Sequence, residues 1–276
     1  MTETAPARTY LFVPGNRPER FAKALASAAD AVILDLEDAV TAEAKPAARS
    51  AIADWAAGAD AAQRARTLVR INDATSPHFA DDMRLLAGLG WRQLMLPKAE
   101  SPEQIAQLCA AVPGCVGVLA LIESARGVAQ VDVIAAAPGL QRLVFGTLDF
   151  ALDLGLDIAD SSEPLAYAAS RITLASRLGG LLPPVSGVTP QIDDAARLLA
   201  DLAWSRRFGF GAKLCIHPAQ VAPIHAAMAH SASEIDWATR VLAADALSPG
   251  AARLDGRMID RPVVLLARRI LGHAPL

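Results

Sequence analysis

The sequence predicts an α/β fold, and three observations lead there. Short runs rich in Leu, Val and Ile recur along the chain, as buried parallel strands require. Ala-rich stretches with apolar residues three and four apart fill the intervals, as expected of crossover helices that bury one face. The intervals are roughly 20 to 40 residues, and no GxGxxG turn follows the first run, which favours a closed (β/α)8 TIM barrel over an open doubly wound sheet. A short C-terminal helical extension completes the expected architecture.

The runs taken as strands are Tyr10 to Val13, Ala31 to Leu36, Thr67 to Ile71, Gln93 to Leu96, Val116 to Ile122, Arg142 to Phe145, Pro184 to Gly187 and Lys213 to Ile216. Helices are expected over Pro18 to Ala29, Pro102 to Ala111 and Asp193 to Phe208, with Pro18 and Pro102 suited to a first helical turn. From about Ser231 to Asp255, Ser, Ala, Gly and polar residues interleave, and a turn and a short amphipathic helix from Pro262 follow. The reading is therefore a barrel over 1–230 and an extension over 231–276, packed on the barrel or on a neighbouring subunit.

Composition narrows the function. With 276 residues, 53% of them hydrophobic and 20% charged, the chain has material for a large core, and 18 Gly with 18 Pro exclude a collagen-like repeat. The balance of 26 basic against 29 acidic residues, formally -3, offers no basic stripe for nucleic acid or an anionic membrane. A small-molecule partner is expected instead. Cys109, Cys115 and Cys215 show no CxxC or CxxH spacing, no long apolar span occurs, and the polar MTETAPAR start lacks a secretory pattern. These features predict a protein of the reducing cytoplasm.

Catalytic groups of a barrel stand where its strands end. Every run except the seventh is followed by polar residues: Pro14 to Arg17, then Asp35, Glu37 and Asp38, then Arg70 and Asn72, then Lys98 and Glu100, then Glu123 and Arg126, then Asp149, then His217. Solvent exposure alone accounts for any one of these. Carboxylates mixed with Arg and Lys around one rim, however, suit a metal ion and an anionic organic substrate. Glu123 and Asp149 end adjacent runs, and oxygen donors without nearby His or Cys favour Mg2+, with Mn2+ as the alternative, over Zn2+. Alternation puts Asp35 and Glu37 on one side and Asp38 on the other. Arg70, flanked by apolar residues, needs either an anionic substrate oxygen or a buried carboxylate partner. Lys98 fits a Schiff-base lysine or an ion pair with Glu100, and His217, followed by Pro218, fits a turn residue bonded to backbone.

The segments YLFVPGNRPERFAKAL, VILDLEDAV, LVRIN, LPKAES, LIESARG, FGTLDFALDLG, GAKLCIHPAQV and DGRMIDRPVVLLARRIL, in that order, resemble the citrate lyase beta subunit family, which belongs with the malyl-CoA lyases and HpcH/HpaI aldolases. The resemblance implies a homotrimeric Mg2+ enzyme that cleaves or forms a carbon-carbon bond in a 3-hydroxyacyl-CoA thioester such as citryl-CoA, malyl-CoA or citramalyl-CoA. By the same resemblance, Glu123 and Asp149 match the metal ligands and Arg70 the substrate-binding arginine. Glu37 and Asp38 match the acidic pair near the metal, and Arg17 and Lys98 lie toward the CoA end. Asp260 matches an acid-base residue supplied by a neighbouring subunit. One departure is Leu148 in GTLD, where many relatives carry Glu. A carrier-protein thioester, thioester hydrolysis, and a CoA-ester-binding protein without activity are the competing functions.

Overall fold

The computed structural model describes residues 6–114, 117–248 and 253–272. Eight parallel strands close in sequence order into a barrel: β1 Thr9–Pro14, β2 Ala31–Asp35, β3 Thr67–Arg70, β4 Gln93–Leu96, β5 Gly117–Ile122, β6 Leu140–Phe145, β7 Leu182–Ser186 and β8 Ala212–Cys215. The expected strands are all present, displaced by no more than two residues at their ends; the start expected at Val116, and Cys115, lie outside the described residues. Parallel pairing explains why both faces of these strands are apolar. One face fills the barrel with Tyr10, Ile33, Leu68, Met95, Leu121, Val144, Val185 and Leu214. The other meets the helices.

Pro102–Ala111 forms the expected helix, and Ala195–Arg207 forms within the expected span behind an Asp194 cap. Pro18 to Ala29 is shorter than expected, a 3-10 turn Pro18–Arg20 followed by the helix Phe21–Leu25. The helix Lys45–Gly58 follows β2 and buries Lys45, Ala48, Ile52 and Ala56.

The chain divides into two compact units, Met1–His225 and Ala226–Leu276. The second holds a helix, Ala232–Leu247, where composition alone suggested only interleaved small and polar residues. Its start is set by a capping box in which Ser231 and Glu234 satisfy each other's backbone N–H groups. A small hairpin, Arg253–Leu254 with Arg257–Met258, and the helix Arg261–Ile270 follow. Ala238, Val241, Ile259, Val264 and Ala267 form this unit's own core. Among the described residues no helix is long and apolar enough to cross a membrane.

Candidate active site

Strand alternation builds the site. The inward series that contains Ile33 on β2, Leu68 on β3 and Leu121 on β5 continues two residues further to Asp35, Arg70 and Glu123. The register pairs Asp35 directly with Arg70. Their side chains make a bidentate ion pair, with Arg70 Nε donating to Asp35 Oδ1 at 2.7 Å and Nη2 to Oδ2 at 2.6 Å. Asp35 also accepts from the Glu37 and Ala39 amides, which turns the chain sharply after β2. The guanidinium lies 4.7 Å from the Phe12 ring centroid. Burial opposes the Arg70 charge, but Asp35 and Glu37 outweigh it, and its pKa lies above the ordinary guanidinium value. A permanently charged donor therefore faces the barrel mouth.

Glu37 and Glu123 are less well provided for. Glu37 is 4% exposed, and neither of its carboxylate oxygens has a directed hydrogen bond. Arg70 Nη1 is 2.7 Å from Oε2, but as an ionic contact outside hydrogen-bonding direction, and Lys98 Nζ is 3.5 Å from Oε1. Burial, partly offset by Arg70, pushes the Glu37 pKa up to about 7. Glu123 accepts from the Lys98 amide at 2.8 Å. Its pKa is pushed up to about 8, first by burial and then by the Glu37 charge, with Asp149 adding to the repulsion. Gly146 makes room for it: a Cβ there would fall 2.5 Å from both Glu123 Cβ and Oε2.

Glu37 and Glu123, both buried and both with raised pKa values, with Glu37 and Asp149 adding to the repulsion at Glu123, form a site whose anionic state is under-neutralised. All the donors are oxygen, which suits a hard divalent ion. Among the described residues no three His, Cys, Asp or Glu side chains converge in a ready-made cage. Mg2+ is commonly held by one or two carboxylates and keeps water or substrate oxygens for its other positions.

The remaining expected residues divide. Lys98 joins the cluster, held in a left-handed conformation with φ 46° that aims its amide at Glu123. Burial opposes its charge, but Glu37, Asp38 and Glu123 raise its pKa. This is the reverse of what a Schiff-base lysine needs. Asp38 is largely exposed, 4.0 Å from Arg70 Nη1. Arg17 pairs with Glu19 at 2.6 Å on the surface. His217 caps the turn at Pro218, accepting from the Ala219 amide, and Glu100 accepts from Ser124 Oγ. Asp260, in the second unit, caps the Arg261–Ile270 helix by accepting from the Val263 amide.

Two further residues shape the site in roles that the sequence did not assign to them. Asp35 was legible as a strand-end carboxylate, but its role as the Arg70 partner needed the strand register. Lys45 is buried and donates to the carbonyls of Leu36 and Glu37, at 2.8 and 3.0 Å, tying the acidic turn to the following helix. Its only sequence signal is a Lys at the start of an otherwise apolar helix face.

Comparison with known proteins gives concordant results. The model of the family described as HpcH/HpaI aldolase/citrate lyase matches residues 8–218. A citrate lyase subunit beta-like protein of Mycobacterium tuberculosis is 38% identical over 270 residues, covering 96% of this chain and 94% of its own. A (3S)-malyl-CoA thioesterase of Cereibacter sphaeroides is 32% identical over 273 residues, covering 98% and 95%. Among solved structures, CitE of Mycobacterium tuberculosis in complex with magnesium, acetoacetate and coenzyme A matches with a TM-score of 0.86 at 38% identity, covering 98% of both chains.

Proposed function

Because the chain belongs to the HpcH/HpaI aldolase/citrate lyase family, we propose that it is a Mg2+-dependent carbon-carbon lyase acting on a 3-hydroxyacyl-CoA thioester. Citryl-CoA, malyl-CoA and citramalyl-CoA are the substrates of this class. The observation that carries the reading is the juxtaposition of Arg70 with the under-neutralised carboxylates Glu37 and Glu123 at one barrel mouth. Relatives whose structures hold magnesium and coenzyme A support it.

In this reading Glu123 and Asp149 hold the Mg2+. The ion, when bound, lowers the pKa of the substrate hydroxyl and stabilises oxygen charge beside it. Arg70, locked by Asp35, would bind substrate oxygens, a contribution that reaches roughly 3 to 4 kcal/mol for one well-placed donor. Glu37 offers two buried oxygens to accept the hydroxyl proton. The carbon-carbon bond then breaks, the 2-oxo acid leaves, and the electron pair passes to the thioester carbonyl as an enolate. Asp260 of a neighbouring subunit in a homotrimer returns a proton to the enolate carbon, Arg17 and Lys98 lie toward the thioester and its CoA portion, and Asp38 stays with Glu37 near the metal. A cytoplasmic setting suits the unpaired Cys109 and Cys215.

Thioester hydrolysis is the second reading, favoured by the 32% identity to a (3S)-malyl-CoA thioesterase. One assay separates them: 2-oxo acid and free thiol are followed together for citryl-CoA, malyl-CoA and citramalyl-CoA, with Mg2+ and with EDTA. Metal-dependent 2-oxo acid with the acyl-CoA product left intact is the expected result. Free thiol without 2-oxo acid replaces the lyase by a thioesterase. Silence with all three removes the CoA thioesters, and the same assay on carrier-protein thioesters follows.

A further inference from the structure

Lys213 is a buried cation that the site above does not use. Its neighbours Ala212 and Leu214 point into the barrel, so alternation turns Lys213 outward, toward the layer that holds the Ala195–Arg207 helix. It is 1% exposed. Its ammonium donates to the Gly187 carbonyl at 2.8 Å, and among the described residues it forms no ion pair with a carboxylate. Buried ammonium groups ordinarily have one. The nearby acid, Asp201, is already engaged by Arg197 Nε at 2.8 Å and by Thr189 Oγ1 at 2.7 Å. Burial accordingly holds the Lys213 pKa down at about 8, high enough to leave most of the charge in place at neutral pH.

The charge borders an open space. Lys213, Arg197 and Asp201 line a cavity of about 160 Å³ whose other walls include Leu148, Ile158 and Trp204. A cavity of roughly 150 Å³ holds a ligand the size of benzene. Two cations and one anion leave one positive charge unbalanced. With apolar walls beside it, this suits a single carboxylate on a short apolar stem better than a doubly charged phosphate, which demands more donors.

We propose that this cavity is a second binding site, for a small carboxylic acid anion whose carboxylate pairs with Lys213. The carboxylate has two sources, a remote group of the substrate itself or a separate acid. The walls at Thr147 and Leu148 immediately precede Asp149, so either would sit beside the mouth.

Trp204 is the reporter, and acetate is the probe, added to the full-length protein at constant ionic strength with chloride as control. A saturable fluorescence change that disappears in Trp204→Phe is expected. It should weaken at least tenfold in Lys213→Met, and also in Leu148→Phe, which narrows the cavity from an exposed position that leaves folding intact. No saturable response overturns the site, as does unchanged acetate affinity in Leu148→Phe or in a Lys213→Met protein with native circular dichroism. Acetate inhibition that competes with the thioester and is relieved by Leu148→Phe assigns the carboxylate to the substrate. A Leu148-dependent effect without competition assigns it to a separate acid. The fluorescence readout needs no turnover, so it stands or falls apart from the lyase reading.

Discussion

The two ends of β2 carry an aspartate each, and the pair shows how differently the barrel treats its floor and its mouth. Asp30, just before the strand, accepts from the amides of Arg8 and Thr9, and it meets Thr9 Oγ1 and His225 Nε2 at 3.4 and 3.2 Å. Elsewhere on the floor Arg142, 1% exposed, donates to the Ala7 and Pro183 carbonyls and to the Tyr10 hydroxyl. Those polar groups are closed on one another. Asp35, at the strand's other end, holds Arg70 beside Glu37, whose oxygens are buried without a directed hydrogen bond. Floor polarity fastens β1 and β2 to each other and to the Val221–Met228 helix, whereas mouth polarity keeps unmet demand for a cation and an anionic ligand.

The largest test of that contrast is Glu123→Gln. Loss of a metal-holding charge is expected to lower metal-dependent turnover by about a thousandfold, about 4 kcal/mol in the barrier. The same change should stabilise the metal-free protein. Glu123 has a folded-state pKa raised to about 8, so its protonated form is the one the fold accommodates. The stability associated with that proton is present below the ordinary carboxylate pKa and is lost as pH rises through about 8. Melting temperatures in chelator should therefore separate in favour of Glu123→Gln between about pH 5 and about pH 8.5. Added Mg2+ should raise wild type and leave the variant where it was. A gap that shrinks with pH would mean that Glu123 is already neutralised by protein groups.

Asp30→Ala is the matching change on the floor, with the opposite signature. It leaves the Thr9 amide, buried in the barrel wall, without its acceptor, and stability should fall by about 2 kcal/mol. Turnover at a temperature where the variant is folded should stay within about twofold of wild type. Denaturant unfolding and a single rate measurement check both halves. A large loss of rate would couple floor to mouth and end the division drawn above.

Much of this was legible in the sequence, for reasons that particular residues make clear. The strands are readable because burial on both faces forces unbroken apolar runs, as in Val32 to Leu34 and Val118 to Ile122. Glu123 and Arg70 are readable as strand-end charges because two-residue alternation fixes where they point. The pairing of Asp35 with Arg70 is not, because it depends on which residues of β2 and β3 stand level, and no local pattern encodes register. The Ala232–Leu247 helix was obscured by its composition, although Ser231 and Glu234 stand at capping-box spacing. The Lys213 cavity was hidden for another reason. A lysine near the start of a strand reads as solvated until the helix layer is known to cover it.

Lys98 gives the smallest effect and isolates how the mouth is held. Its φ of 46° is a left-handed conformation that costs a residue with a Cβ about 1 kcal/mol, and it points the amide at Glu123 Oε1. Lys98→Gly and Lys98→Ala both delete the ammonium that lies 3.5 Å from Glu37 Oε1, so they share any effect of the lost charge. They differ only in the backbone. Glycine adopts the conformation freely, and alanine keeps the strain. The glycine variant should therefore be the more stable of the two by about 1 kcal/mol in denaturant unfolding, less whatever the freer unfolded chain takes back. Equal stabilities would show that the turn relaxes when the side chain goes.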